Sequence, residues 1–242
     1  MEINPASSVP LYIQIKDYLH QKVKNGVFPG GTKLPSERDL SLDLGVSRMT
    51  VRQALQALVK EDIIYSRTGK GYYACQPRID QELGVLTSFS EEMLQHGFLP
   101  TSRVILAELQ LPTPEIAEPL QLSQGAEVVA LRRVRLAENR PIALENAFLV
   151  HELCPGILQS HDFNKESLYK VLREAYGCPL TWAKQWVQAR LPTLSEQKLL
   201  DIDGEIPVLS NKRITYTRND RPVEYVTSIY LGDRYNLAII LR

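Results

Sequence analysis

The residues best suited to chemistry in the first third of the chain are arginines near the starts of two predicted helices. Arg38, Arg48 and Arg52 carry guanidinium groups, which can grip guanine O6 and N7 through two parallel hydrogen bonds. Nearby hydroxyls suit phosphates, and a lysine between glycines suits a phosphate or the minor groove. The predicted contacts with double-stranded DNA are Ser36, Arg38, Ser47, Arg48, Thr50, Arg52, Gly69, Lys70 and Gly71.

A second set of polar residues in the C-terminal two thirds suits a small anion. Arg133 and Arg135 are two residues apart, so on a strand they share one face and can aim at one anion, and guanidinium groups suit phosphate. Serines near two predicted helix starts could add donors, and two glutamates suit hydroxyls or an amine. The predicted effector-binding residues are Ser88, Phe89, Ser90, Arg133, Arg135, Glu145, Ser167, Tyr169, Glu224 and Tyr230.

Each of these residues also has a plainer interpretation. Any one DNA-facing arginine alone could be a solvated surface charge. Arg133 and Glu145 could form a cross-strand ion pair on a solvated sheet face, and Tyr169 could be core packing. Two arginines also bind carboxylates, which leaves a non-phosphorylated organic acid open as the ligand. Glu91 and Glu92 are neighbours on a predicted helix, which indicates a solvated face rather than an acid–base pair.

The elements that position the first set form a helix-turn-helix followed by a hairpin. Apolar residues at helical spacing predict helices over about 10–25, 36–45 and 47–61, the last two with a serine cap at their start. Strands at 63–67 and 72–75 flank a glycine-rich tip. A helix-turn-helix followed directly by a hairpin is a winged helix, and the convergence of caps, arginines and a basic wing in one window favours DNA binding.

The remaining elements predict a second domain. Residues 76–83 are polar, contain Pro77 and predict a linker. Helices near 88–96, 113–121, 165–176 and 194–200 interleave with strands near 102–110, 127–138, 142–150, 180–191, 207–217 and 223–231, some of them joined by tight turns. The fold class is α+β in two domains: a winged helix-turn-helix over 1–75, the linker, and a mostly antiparallel sheet flanked by helices over 84–242.

Composition excludes several classes of protein. The net charge is zero, but residues 1–75 carry 10 basic and 7 acidic side chains, which fits a nucleic-acid partner for that part. Three cysteines without CxxC spacing, and no apolar run long enough to span a membrane or to act as a signal peptide, indicate the cytoplasm. No P-loop, GxSxG elbow or HExxH motif occurs, so no enzyme, cofactor or metal site is predicted.

Residues 10–75 resemble the winged helix of the GntR superfamily, through residues 10–12 (PLY), 34–40 (LPSERDL), 46–55 (VSRMTVRQAL) and 67–71 (RTGKG). The resemblance implies that Arg38 and Arg48 read guanines and that the wing glycines let the backbone reach the minor groove. One departure is Tyr72, where the family usually has threonine.

The second domain is similar to the UTRA effector domain of the HutC subfamily, through residues 86–93, 131–135, 141–145, 166–169, 222–225 and 230–235. Ligands of this subfamily include amino-sugar phosphates, other sugar phosphates and small organic acids. The resemblance implies a homodimer, paired through this domain, on a pseudo-palindromic operator. We expect a repressor released by its effector, with the linker at 76–83 transmitting a change near Ser88–Ser90 to the winged helices.

Overall fold

The computed structural model describes residues 3–5, 7–75, 79–202 and 206–239. The chain forms two compact units, residues 1–77 and residues 78–242. Mixed helices and sheets in two units agree with the expected α+β class. Within the described residues, no helix is both long and apolar enough to cross a membrane.

The first unit is a winged helix. Helices α1 (Leu11–Lys24), α2 (Glu37–Leu44) and α3 (Arg48–Lys60) precede an antiparallel hairpin of β1 (Ile64–Arg67) and β2 (Gly71–Ala74). Gly45 ends α2 in the left-handed conformation at a φ of 64°, which glycine adopts without strain. The core of the unit consists of Ile15, Leu19, Leu34, Leu40, Val51, Ala54, Leu55, Leu58, Ile64 and Ala74.

The second unit is built on a six-stranded antiparallel sheet in the order β4-β5-β6-β9-β8-β7. Its strands are β4 (Pro100–Gln110), β5 (Val128–Ala137), β6 (Arg140–Val150), β7 (Trp182–Arg190), β8 (Val208–Tyr216) and β9 (Pro222–Leu231). Its helices are α4 (Phe89–Gln95), α5 (Pro114–Ala117), α6 (Ile157–Ser160), α7 (Leu168–Glu174) and α8 (Leu194–Leu200), with a 3₁₀ turn at His151–Leu153.

A second, two-stranded sheet corrects the predicted linker. Strand β3 (Ile79–Glu82) lies inside the stretch predicted as linker and pairs in parallel with β10 (Tyr235–Ala238). Ile79 and Gln81 are buried while their neighbours are exposed. The sequence predicts a linker here because the stretch is polar and contains Pro77. The strand is not predicted, because parallel pairing with a distant segment leaves no local turn signal. The first residues of the predicted linker, 76–78, lie outside the described part.

Other departures from the predicted elements are small. The helix expected over 113–121 is only the turn at Pro114–Ala117, and the sequence predicts neither the short α6 nor the 3₁₀ turn. Side chains alternate along β5 as expected, so Arg133 and Arg135 lie on one face of the sheet. Arg133 is directly opposite Glu145 in β6. Helices α4 and α7 contribute the side chains that meet this face.

Candidate functional site

The predicted DNA contacts converge on one cleft of the first unit. Ser36, Arg38 and Arg48 approach it from the starts of α2 and α3, and the wing tip supplies its other wall. The full lining is Lys33, Leu34, Ser36, Glu37, Arg38, Arg48, Gly69, Lys70, Gly71 and Tyr72. Six of the nine predicted residues therefore share this surface. The other three, Ser47, Thr50 and Arg52, lie on α3 or at its cap.

The hydroxyls at the two helix starts are engaged in local hydrogen bonds. Ser36 Oγ accepts from the Asp39 amide at 3.2 Å and donates to Asp39 Oδ2 at 2.7 Å, completing a capping box. Ser47 Oγ accepts from the Thr50 amide at 3.1 Å and lies 2.8 Å from Thr50 Oγ1. These caps fix where α2 and α3 begin, and thereby the positions of Arg38 and Arg48.

The three predicted arginines differ in their partners. Arg38 is exposed, and the Arg48 side chain is 63% exposed. Arg52 instead donates from Nε to Glu37 Oε1 at 3.0 Å and from Nη2 to Glu37 Oε2 at 2.8 Å. The hydrogen bond from Arg52 outweighs the effect of burial and lowers the pKa of Glu37. The α3 arginines thus share a carboxylate that the sequence prediction does not include.

The wing tip has a backbone that requires glycine. Gly71 has a φ of +103°, and a Cβ added there would meet Lys33 Cε at 3.2 Å. Lys33 approaches the tip because its backbone bridges Tyr73 in β2. Sequence reasoning misses Lys33, since a single bridge outside any strand leaves no periodic signal. It adds a cation beside Lys70 in the cleft.

The second candidate site is a cavity between the large sheet, α4 and α7. The accessible space inside it is about 30 Å³, room for about two water molecules. Nine of the ten predicted effector residues line it, and the tenth, Ser90, accepts a hydrogen bond from Arg135 at 3.1 Å. The lining consists of Gln81, Thr87, Ser88, Phe89, Glu92, Arg133, Arg135, Glu145, Ser167, Leu168, Tyr169, Arg213, Glu224, Val226, Ser228 and Tyr230.

Two buried arginines and one carboxylate form the basic wall of the cavity. Arg133 and Arg135 are 2% and 3% exposed. Arg133 Nε donates to Glu145 Oε1 at 3.1 Å, and Arg135 Nη1 lies 3.9 Å from the same oxygen. The expected cross-strand pair therefore forms, but on a buried face rather than a solvated one. Among the described residues, Arg133 Nη1 and Arg135 Nε have no hydrogen-bond partner.

The charged groups of this wall shift one another's pKa values. Burial and the neighbouring Arg133 lower the pKa of Arg135 to about 10. Burial alone would raise the pKa of Glu145, but the two arginines hold it below its ordinary value. Two guanidinium groups against one carboxylate leave this wall with a net positive charge.

The rest of the lining includes two buried carboxylates, Glu224 and Glu92, which form the acidic part of the cavity, and also Arg213. Glu224, 2% exposed, accepts through Oε2 from the Tyr169 hydroxyl at 2.9 Å and from the Thr215 hydroxyl at 2.9 Å. Burial and the charge of Glu145 raise the pKa of Glu224. Tyr169 is thus buried, as the packing interpretation expects, and its hydroxyl also bonds a cavity carboxylate. Tyr230 stacks on Tyr235 with ring centroids 4.1 Å apart and faces the cavity.

Helix α4 brings a carboxylate for which the prediction of a solvated face is wrong. Glu92 is 4% exposed and accepts from the Tyr235 hydroxyl at 2.6 Å and from Gln81 Nε2 at 3.4 Å. Burial raises its pKa. Its neighbour Glu91 does face outward and caps the helix by accepting from the Ser88 amide at 2.8 Å. The cluster joins α4 to β3 and β10, so the cavity wall is bonded to the strand that begins the second unit.

Sequence reasoning also misses Arg213 and Gln81. Arg213 on β8 donates from Nε to Gln185 Oε1 at 2.6 Å; burial alone would lower its pKa, but nearby tyrosines and Glu224 raise it. Alternation along β8 could have placed Arg213 on the face of Thr215, but the strand order is not predictable. Gln81 is hidden inside the predicted linker. No group of three or more His, Cys, Asp or Glu side chains in the described ranges could hold a metal ion.

Comparison with known proteins assigns each unit to a known family. Residues 11–73 match the family described as bacterial regulatory proteins, gntR family, and residues 95–236 match the UTRA domain. The chain is 38% identical to the HTH-type transcriptional repressor NagR of Bacillus subtilis (strain 168) over 98% of its length and 97% of that protein.

Two further relatives agree with this placement. The chain is 29% identical to the mannosyl-D-glycerate transport/metabolism system repressor MngR of Escherichia coli (strain K12), over 96% of this chain and 95% of that protein. The crystal structure of PhnF from Mycobacterium smegmatis superposes with a TM-score of 0.74 at 26% identity, covering 94% of this chain and 99% of that one. The chain therefore belongs to the GntR family, in its UTRA-containing HutC subfamily, and is a DNA-binding transcription regulator rather than an enzyme.

Proposed function

We propose that this regulator is a repressor that binds a pseudo-palindromic operator as a homodimer and is released by a small anionic effector, a sugar phosphate or amino-sugar phosphate. The observation that carries the effector class is the pair of buried guanidiniums at Arg133 and Arg135, which line one cavity and have N–H groups without a partner in the described part of the chain. The relatives support the broader statement, since two are named as repressors and one is named for a sugar-linked system.

An anion is the ligand that suits this wall. A buried N–H group without an acceptor costs stability, and a buried cation with a depressed pKa costs more. An oxyanion between Arg133 and Arg135 would accept from both and would offset their mutual repulsion. Phosphate has three terminal oxygens for this task, whereas a carboxylate has two. A non-phosphorylated organic acid is the alternative ligand, because the same fork also binds carboxylates.

The acidic part of the cavity suits the rest of such a ligand. Glu224 and Glu92 are carboxylates that accept hydrogen bonds from neutral hydroxyl and amide donors, with the charge of Arg213 nearby. A sugar hydroxyl can donate to either, and an ammonium group would in addition neutralise their charge. An amino-sugar phosphate carries both charges and therefore matches the basic and the acidic parts together.

The cavity must widen to admit this ligand, and helix α4 is the wall best able to move. Small-molecule sites span several hundred Å³, far more than the accessible space of about 30 Å³. Strands β5, β6 and β9 are bonded on both sides in the sheet, whereas α4 has only seven residues. Displacing α4 would strain the hydrogen bonds that Glu92 accepts from Gln81 and Tyr235. The connection between the two units would then transmit the change to the winged helix. Effector binding would in this way favour a state that binds the operator less tightly.

A homodimer paired through the second unit would cover an apolar edge. Strand β4 lies at the edge of the large sheet, and its Ile105, Leu106 and Leu109 are 39%, 40% and 44% exposed. Exposed edges with apolar side chains are unfavourable in a single chain. Sedimentation equilibrium should give the mass of two chains. A monomer at micromolar concentration would contradict the pairing.

A thermal-shift screen tests the effector class. The panel is glucosamine 6-phosphate, glucosamine, glucose 6-phosphate, inorganic phosphate and citrate. A ligand at a hundredfold excess over its Kd raises stability by about 2.7 kcal/mol. We expect a sugar phosphate to stabilise the protein when its unphosphorylated parent does not. Stabilisation by citrate alone would move the ligand to organic acids, and equal stabilisation by glucosamine and its phosphate would contradict the anion site.

A further inference from the structure

A single carboxylate joins three elements of the winged helix. Glu37, the first residue of α2, accepts from Nε and Nη2 of Arg52 on α3 at 3.0 and 2.8 Å. Arg48 Nη2 lies 4.0 Å from Glu37 Oε2. From the wing, the Tyr72 hydroxyl donates to Glu37 Oε1 at 3.5 Å. Glu37 is therefore placed to set the positions of side chains on both the recognition helix and the wing.

Exposure shows which groups of this cluster face outward. The Glu37 side chain is 16% exposed, whereas those of Arg52 and Arg48 are 44% and 63% exposed. The carboxylate is thus less exposed than the two guanidinium groups beside it, although it also lines the cleft. The adjacent positive charges of Arg48 and Arg52 offset its negative charge there.

The hydrogen bonds of Arg52 leave one edge of its guanidinium for DNA. Glu37 takes the edge formed by Nε and Nη2. The remaining edge, Nη1 with the second hydrogen of Nη2, makes no hydrogen bond within the described residues. Two parallel N–H groups on one edge are what guanine O6 and N7 accept. A planar guanidinium fixed along one edge presents the other in a defined direction and loses less conformational freedom on binding.

We propose that Glu37 is a positioning residue for base recognition, which acts by aiming the free edge of Arg52 at one base pair of each half-site. Tyr72 supports it by holding Glu37 from the wing. This inference rests on the proposed operator recognition and assigns within it a role to an acidic residue.

The test compares Glu37→Gln with Arg52→Ala in the full-length protein. An operator is first selected from a random duplex library with the wild type. Affinities are then measured for that operator, for every single-base-pair variant of it and for random-sequence DNA. We expect Glu37→Gln to reduce discrimination about tenfold at one base pair per half-site, the same pair that Arg52→Ala affects. Affinity for random DNA should stay equal or increase, because a negative charge has been removed.

Three controls make the outcome specific. The double variant should lose no more discrimination than Arg52→Ala alone, since Glu37 acts through Arg52. Tyr72→Phe should lose about twofold at the same base pair, because a hydrogen bond of 3.5 Å is weak. Arg38→Ala should affect a different base pair. An unchanged melting temperature for Glu37→Gln would separate its effect from unfolding.

Three results would overturn the inference. The first is full discrimination at every position in Glu37→Gln, and the second is a loss at a base pair that Arg52→Ala leaves intact. The third is an equal loss on all sequences, since that is the result of a merely structural role. If the wild type selects no preferred sequence, the proposed operator recognition fails as well, and that failure is visible before any variant is made.

Discussion

The two arginine-bearing sites differ most in how their charges are held before a ligand arrives. On the winged helix, the Arg48 side chain is 63% exposed and accessible to solvent. In the second unit, Arg133 and Arg135 are 2% and 3% exposed and depend on Glu145. Exposed arginines on the winged helix therefore contribute little to folding stability. The buried arginines of the second unit are part of its packed structure, so changing their partner affects stability.

The contrast between buried and exposed charges is tested most strongly by removing one carboxylate of each kind, both from the second unit. Glu145→Ala leaves two guanidiniums buried without their shared partner and should lower the unfolding free energy by about 3–5 kcal/mol. The matched control is Glu174→Ala, which removes an exposed partner 3.9 Å from Lys170 and should cost less than about 0.5 kcal/mol. Urea unfolding measures both. Similar small losses in the two variants would mean that the cavity charges are solvated after all.

The next largest effect concerns DNA and leaves stability alone. Arg48→Ala should reduce discrimination at one base pair per half-site by about 1–3 kcal/mol, because the variant cannot form the bidentate hydrogen bonds to guanine. The melting temperature should not change, since the side chain is exposed. Competition binding against single-base-pair operator variants measures the loss. A uniform loss across all sequences would instead make Arg48 a phosphate-binding residue.

A smaller and uniform effect is expected at the wing. Lys70→Ala should weaken binding to all sequences alike and make the dependence of log K on log salt shallower by about 0.9 for each phosphate that the variant no longer neutralises. Affinity measured at several salt concentrations gives the slope. A change confined to one base pair, with the slope unchanged, would show that Lys70 reads a base.

The smallest effect tests the acidic part of the cavity. Burial and Glu145 raise the pKa of Glu224, so its charged form is less stable in the folded state than in the unfolded chain. This cost is present above the raised pKa and disappears as the pH falls below the ordinary glutamate value. Glu224→Gln, which keeps a carbonyl acceptor for Tyr169, should therefore stabilise the protein at pH 8 and much less at pH 5. Chemical unfolding at the two pH values measures this, and destabilisation at pH 8 would contradict it.

Local signals allow the winged helix to be predicted almost residue by residue. Serine caps at positions 36 and 47 and the left-handed Gly45 act within a few residues of one another, so the sequence displays them directly. Strand alternation likewise places Arg133 and Arg135 on one face.

Pairings between distant segments are not predictable in the same way. Strand β3 has the local pattern of a linker because its partner β10 lies more than 150 residues away. Glu92 has the pattern of a solvated residue because only that small sheet buries it, through Tyr235 and Gln81. Arg213 enters the cavity through the strand order of the large sheet, which the sequence does not state. The sequence thus predicts the cavity residues that follow from local patterns, and it misses those brought there by the pairing of distant strands.

The central claim is that an anion bound at Arg133 and Arg135 controls operator binding by the winged helix. The direct measurement is fluorescence anisotropy of a labelled operator, titrated with the stabilising compound from the thermal-shift panel. Wild type, Arg135→Ala and a control, Arg132→Ala on the opposite face of β5, are compared. We predict equal operator affinity for all three, with release from wild type and Arg132→Ala but not from Arg135→Ala. Release of Arg135→Ala at the wild-type ligand concentration would contradict the account.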